Sequence, residues 1–250
     1  MKVLFFDTPE MLGAKAATLT AALLNTAIHE HGCARLLMST GASQFTTIQA
    51  LTEQHVDWTK VEMFHLDEYI GLDPAHPAGF VKYLQERFTE KVNIRAAHFV
   101  DTTMNIGCLL RKLTAELEKA PVDVGLIGIG ENAHIAFNDP PADFSDSSCY
   151  KVVTLDAACR NQQLREGWFS TLDEVPKQAL SMTVSQILKC GNIISAVPYA
   201  AKAMAVRDTL TNEVTNRIPA TILKTHPRFT LLVDKDSASL INPEAYRAAE

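Results

Sequence analysis

The chain has 250 residues, 47% of them apolar and 21% charged, with a net charge of −6. That balance fits a soluble globular protein with a sizeable core and excludes a broad basic surface for nucleic-acid backbones, although a local pair of cations could still hold a small anion. Five scattered cysteines, odd in number and without a CxxC pair, exclude a disulfide framework and a zinc knuckle and point to reduced thiols in a cytoplasmic setting.

In chain order, "KVLFF" reads as a first strand, and its apolar run ends at Asp7 and Pro9, too short for a signal segment or a membrane span. A long helical stretch, "MLGAKAATLTAALLNTAIHEHG", leads to the apolar "ARLLMST", and "SQFTTIQALTEQH" leads to "VEMFHLDEY". The alternation continues through "AGFVKYLQERFTEKV", "AAHFVD", "NIGCLLRKLTAELEKA" and "VDVGLIGIG". A connection over residues 138–160 then reads as irregular, with the composition of a lid. "PKQALSMTVSQILKCG" reads as helical, followed by "NIISAVP", "AAKAMAVRDTLT" and "FTLLVD". Short apolar strands alternating with helices predict an α/β fold: one domain over 1–250, doubly wound, with a mainly parallel sheet and helices on both faces. Ligands of such a sheet gather outside the carboxyl ends of its strands.

Four strand ends carry polar chemistry. "STGASQ" at 39–44 is a small-residue turn feeding a helix, where free N–H groups and the hydroxyls of Ser39, Thr40 and Ser43 suit a phosphate. Asp67 and Glu68 are adjacent on extended chain, so their side chains point to opposite faces and only one can enter a given site. "GIGENAHIAFNDPP" at 128–141 leaves a buried run through two glycines and presents His134 between Asn132 and Asp139, a histidine with an acceptor to fix its tautomer. Lys202 follows "NIISAV" and opens a helix, while Arg160 and Arg165 lie in the connection before it. The remaining histidines show no metal-ligand spacing, so no metal is expected.

Together these stretches resemble the glucosamine-6-phosphate deaminase/isomerase family, in the same order over nearly the whole chain. "LDEY" and "HIAFN" are the specific parts of the match; "STGASQ", "VPKQALSM", the Lys202–Ala203 pair and "TILKTHP" add to it. The resemblance implies a cofactor-free enzyme that opens an amino-sugar phosphate, shifts a proton from C2 to C1 and releases ammonia and a ketose phosphate. It implies Asp67 as the base moving that proton and His134 as the group that opens the ring. Thr40, Gly41, Ala42, Ser43 and Lys202 would hold the phosphate, joined by an arginine for which Arg160 is preferred over Arg165. The implied partner is a small sugar phosphate, with neither nucleic acid nor membrane, and a homo-oligomer is compatible with a family that includes hexameric and simpler members.

Two departures fall within the histidine motif. The family's Asn-Asp-Gly-His becomes Glu131-Asn132-Ala133-His134, and its glutamate after Phe-Asn becomes Asp139. Asn132 can orient an imidazole but cannot neutralise an imidazolium, which leaves Asp139 or Glu131 to supply the charge. Ala133 carries a strain if its φ is positive. The related 6-phosphogluconolactonase family, which would make the chain a hydrolase, and a catalytically weak sugar-phosphate sensor are the competing readings. "HIAFNDPP" and "LDEY" favour the aldose–ketose chemistry over the first.

Overall fold

The computed structural model describes residues 1–155, 157–165 and 167–246. The N-terminal run forms β1 (Lys2–Phe6), and Thr8 then caps α1 (Pro9–His31) by accepting from the Met11 N–H, with a proline in the first helical position. Gly32, at φ 77°, closes that helix. With a mean hydropathy of 1.2, α1 is long and apolar enough to cross a membrane. Here its buried stripe, including Leu12, Ala16 and Leu24, packs on the sheet, and each fully buried leucine contributes roughly 1.5–3 kcal/mol. A Cβ on Gly13 would sit 2.7 Å from Thr46, so glycine there lets α1 approach α2 (Phe45–Thr52).

The other strands of the main sheet are β2 (Ala34–Met38), β3 (Val61–His65), β5 (Ala96–His98), β6 (Val124–Leu126), β9 (Asn192–Val197) and β10 (Phe229–Asp234). They run parallel in the order β1-β10-β9-β6-β2-β3-β5. All five residues of β2 are buried, as a strand covered on both faces requires. Leu36 and Met38 join the core beneath α1, α2 and α3 (Phe80–Leu84), while Leu37 joins the opposite core with residues of α4 (Ile106–Leu117), α6 (Val184–Ile187) and α7 (Ala203–Thr211). The doubly wound parallel sheet expected from the sequence is present.

Three local readings are corrected. "VEMFHLDEY" is not one strand: the chain leaves the main sheet at Leu66, and β4 (Asp67–Tyr69) pairs antiparallel with β8 (Gln178–Met182), which pairs with β7 (Tyr150–Thr154). "PKQALSM" is therefore strand rather than helix, because its apolar face has a second small sheet to join. The span read as irregular likewise contains β7 and the start of α5 (Ala157–Arg165).

From β2 the chain moves outward to β3 and β5, and from β6 it moves the other way to β9 and β10. The carboxyl ends of β2 and β6 therefore flank the point where winding reverses, which is where a parallel sheet opens a crevice.

Candidate active site

That crevice holds a cavity of about 250 Å³. Its polar wall is built by four adjacent strands: residues 39–43 follow β2, Asp67 follows β3, His134 follows β6 and Lys202 follows β9.

The loop after β2 is held by its neighbours. Ser39 donates its N–H to the Leu126 carbonyl (3.0 Å), and its Oγ accepts from the Gly128 N–H (3.0 Å), which ties the two strand ends at the switch point. Gly41 has φ 98° and ψ 164°, a backbone that residues with a Cβ rarely adopt, and its carbonyl accepts from the Tyr83 hydroxyl at 3.0 Å. Residues 42–44 then form a 3₁₀ turn into α2, anchored by Gln44 Nε2 donating to the Ala196 carbonyl at 3.1 Å. The side chains of Ser39 and Gln44 thus hold the loop, whose residues 39–43 line the cavity.

On β4 the two carboxylates separate as alternation demands. Asp67 lines the cavity, whereas Glu68 turns away and accepts the N–H groups of Tyr69 (2.8 Å) and Val81 (2.7 Å), the latter in the first turn of α3. Burial and the neighbouring Glu68 charge push the Asp67 carboxyl up to about 8, opposed by a hydrogen bond from the Phe137 N–H. Burial also raises Glu68, to about 7, opposed by the backbone N–H groups it accepts from. Of the two, Asp67 is the one that faces the cavity.

The loop after β6 turns tightly: the Gly130 N–H donates to the His134 carbonyl (2.9 Å), and the Ala133 N–H donates back to Gly130 (3.0 Å). Ala133 takes φ 63°, so the expected strain is present, worth about 1–2 kcal/mol at a residue with a Cβ. The imidazole of His134 packs against Gly130 so closely that a Cβ built there would lie 2.2–2.5 Å from three of its ring atoms. Nδ1 of His134 is 3.1 Å from Oδ1 of Asp139, an ion-pair approach off the line of an ideal hydrogen bond. Asn132 accepts from the backbone N–H of His134 (3.1 Å) and donates to Asp139 (3.0 Å), tying the carboxylate to the main chain of the histidine. Burial raises the Asp139 carboxyl, but His134, Asn132 and Cys159 outweigh it and hold the group below its ordinary value. The charge absent at Asn132 is supplied by Asp139; Glu131 instead faces Arg165 at 3.5 Å.

The wall after β9 depends on Tyr199, at φ 79°, whose N–H donates to both oxygens of buried Asp234 (3.2 and 3.0 Å). That contact sets the 3₁₀ turn carrying Lys202 to the cavity. Arg160 does not reach the cavity lining. Its guanidinium donates to the carbonyls of Val175 (3.3 Å) and Leu172, pinning the chain that follows α5, so the structure does not bring it together with the other expected phosphate residues. Arg165 is exposed and pairs with Glu131, a cavity-lining residue, which puts it nearer the mouth. Sequence reasoning passed over Gln163, Trp168, Phe80 and Tyr83, which complete the wall from α5, the segment after it and α3. No motif announces them, because any helix buries such side chains.

A family model described as glucosamine-6-phosphate isomerases/6-phosphogluconolactonase matches residues 7–231. The glucosamine-6-phosphate deaminase of Thermoanaerobacter pseudethanolicus is 32% identical over 260 residues, covering 100% of this chain and 99% of that one. That of Staphylococcus epidermidis is 33% identical over 251 residues, covering 95% and 98%. Among solved structures, a monomeric glucosamine-6-phosphate deaminase superposes with a TM-score of 0.87 at 30% identity, covering 96% of this chain and 100% of that one. A 6-phosphogluconolactonase from Shewanella baltica gives 0.74 at 18% identity, covering 94% and 97%, a likeness of fold alone. The family match includes all four strand ends that build the cavity, and the chain belongs to the glucosamine-6-phosphate isomerase/6-phosphogluconolactonase family.

Proposed function

We propose that this chain is a glucosamine-6-phosphate deaminase, releasing ammonia and fructose 6-phosphate by ring opening and proton transfer from C2 to C1. One observation carries the reading: a raised, buried carboxyl and a carboxylate-paired imidazole face the same cavity beside a loop suited to phosphate. Thr40, Gly41, Ala42, Ser43 and Lys202 hold the phosphate. Asp139 stabilises the charge on His134 as the imidazole moves a proton between the anomeric hydroxyl and the ring oxygen, which opens the sugar.

Asp67 then removes the C2 proton. The substrate ammonium on C2 favours the carboxylate form of a group otherwise protonated at neutral pH, so the substrate helps to generate its own base. Returned to C1, with one proton passing from the ammonium to O1, the C2 proton leaves an iminium at C2; water adds there and the C–N bond breaks, giving the ketone and ammonia. Every bond change is then accounted for without an external electron carrier.

Purified protein given glucosamine 6-phosphate should release ammonia and fructose 6-phosphate in equal amounts. Turnover of 6-phosphogluconolactone in its place would assign a hydrolase, and tight binding of the amino sugar phosphate without turnover would assign a sensor.

A further inference from the structure

Ser181 lies on β8, fully buried and directly opposite Asp67 in the antiparallel pair with β4. Side chains opposed in such a pair share one face with Cβ atoms about 4.5–5.5 Å apart, so the hydroxyl and the carboxyl are neighbours by construction. The Phe137 N–H donates to Ser181 Oγ at 3.0 Å and stands close enough to Asp67 to favour its carboxylate form, so both side chains address one amide. The hydroxyl proton is turned elsewhere, to the Met182 carbonyl at 3.2 Å. An oxygen lone pair, rather than a proton, is therefore what Ser181 offers at this shared N–H.

We infer that Ser181 is a positioning residue that competes with Asp67 for the Phe137 amide, and so keeps the carboxylate short of one hydrogen bond and strong as a base. The inference rests on the proposed deaminase reading, in which Asp67 moves the C2 proton. A donor shared between two acceptors stabilises each less than a donor devoted to one, and weaker stabilisation of the anion means higher proton affinity. Other charges near Asp67 are left in place by any change at Ser181. Glu68 on the same strand and Tyr150 on β7 flank it, and Glu131, His134, Lys202 and the phenols of Tyr83 and Tyr199 stand around the cavity.

The test reads Asp67 directly. In protein labelled with ¹³C at aspartate carboxyls, the Asp67 signal is assigned by its loss in Asp67→Asn, and its titration midpoint is followed in the intact chain. Ser181→Ala should lower that midpoint by about one pH unit, the size of a hydrogen bond gained in part. Ser181→Thr, which restores the hydroxyl, should return it toward the starting value. Ser181→Cys, close in volume but a weak acceptor, should give a smaller fall and carries the test if the alanine variant does not fold. An unchanged midpoint in a folded alanine or cysteine variant, or an equal fall in the threonine variant, overturns the inference. The acid limb of kcat/KM for glucosamine 6-phosphate should move down in step. A shifted midpoint in a protein that never deaminates the sugar supports the role of Ser181 and overturns the proposed activity instead.

Discussion

The loops after β2 and β6 lie side by side at the switch point, and each needs a glycine, but for opposite reasons. Around Gly41 there is open space: an added Cβ would meet nothing within 4 Å, and only the backbone angle requires glycine. Around Gly130 there is none, because the His134 ring occupies the place of the missing side chain. One loop is shaped so that its main chain can present N–H groups to an anion; the other is emptied so that a side chain can be packed close against it. In the proposed reaction the first binds through backbone and tolerates change at its side chains, whereas the second works through one side chain and tolerates almost nothing beneath it.

Removing the base that both loops serve gives the largest expected effect. Asp67→Asn should cut kcat by on the order of 10³ and abolish proton exchange at C2, while phosphate affinity and ring opening persist, since each loop keeps its own task. Exchange measured by NMR in deuterated solvent tests this, and surviving exchange would mean that the base is elsewhere. The same variant has a signature in stability. Asp67 has a folded-state pKa of about 8, raised above the ordinary 3.8, so the unfolded chain binds fewer protons between these values and stability falls as pH rises through that window. An asparagine is free of this penalty. The variant should match the parent near pH 4 and exceed it at pH 8 by on the order of 5 kcal/mol, read as a rise in Tm.

Gly130→Ala tests the crowded loop. The imidazole must move by about 1 Å or more, which is expected to lower kcat about 10²-fold with the affinity for inorganic phosphate intact. Equal loss of phosphate affinity would show that the two loops are one mechanical unit. Gly41→Ala tests the open loop and should do the reverse: a strain of about 1–2 kcal/mol in a backbone that must hold its angle raises KM roughly 5- to 30-fold and leaves kcat nearly unchanged. If kcat falls instead, the phosphate loop also places the reacting carbons.

The main sheet was legible because its inner strands are buried on both faces and read as mostly apolar runs, as "ARLLM" does apart from Arg35. The small sheet was not: "QALSM" is buried at four consecutive positions and shows no alternation, so nothing local separates it from the turn of helix that follows. Asp67, His134 and Lys202 could be read from the sequence because each polar residue stands just past an apolar strand, and parallel strands bring their ends together. Arg160 could not be placed in this way. It lies on a helix in a connection, where a guanidinium is as readily used to hold carbonyls as to hold a phosphate, and here Val175 and Leu172 take it.

The smallest expected effect concerns the amide beside the histidine. Were a charge missing there, Asn132→Asp would accelerate opening of the cyclic sugar, but Asp139 already lies 3.1 Å from the imidazole and Asn132 donates to it at 3.0 Å. An aspartate at 132 would place two carboxyls within hydrogen-bond distance, where one retains its proton and the pair titrates as a unit. The histidine would still face a single negative charge. Turnover of the cyclic sugar near neutral pH should therefore change by less than about threefold, against the 10²–10³ that loss of an electrostatic stabiliser costs. What should appear instead is a new ionisation in the pH profile as the shared proton leaves. A marked acceleration would mean that the off-line approach of Asp139 to Nδ1 delivers too little charge, and that the crowded loop, for all its packing, is still tuned by the acid it has replaced.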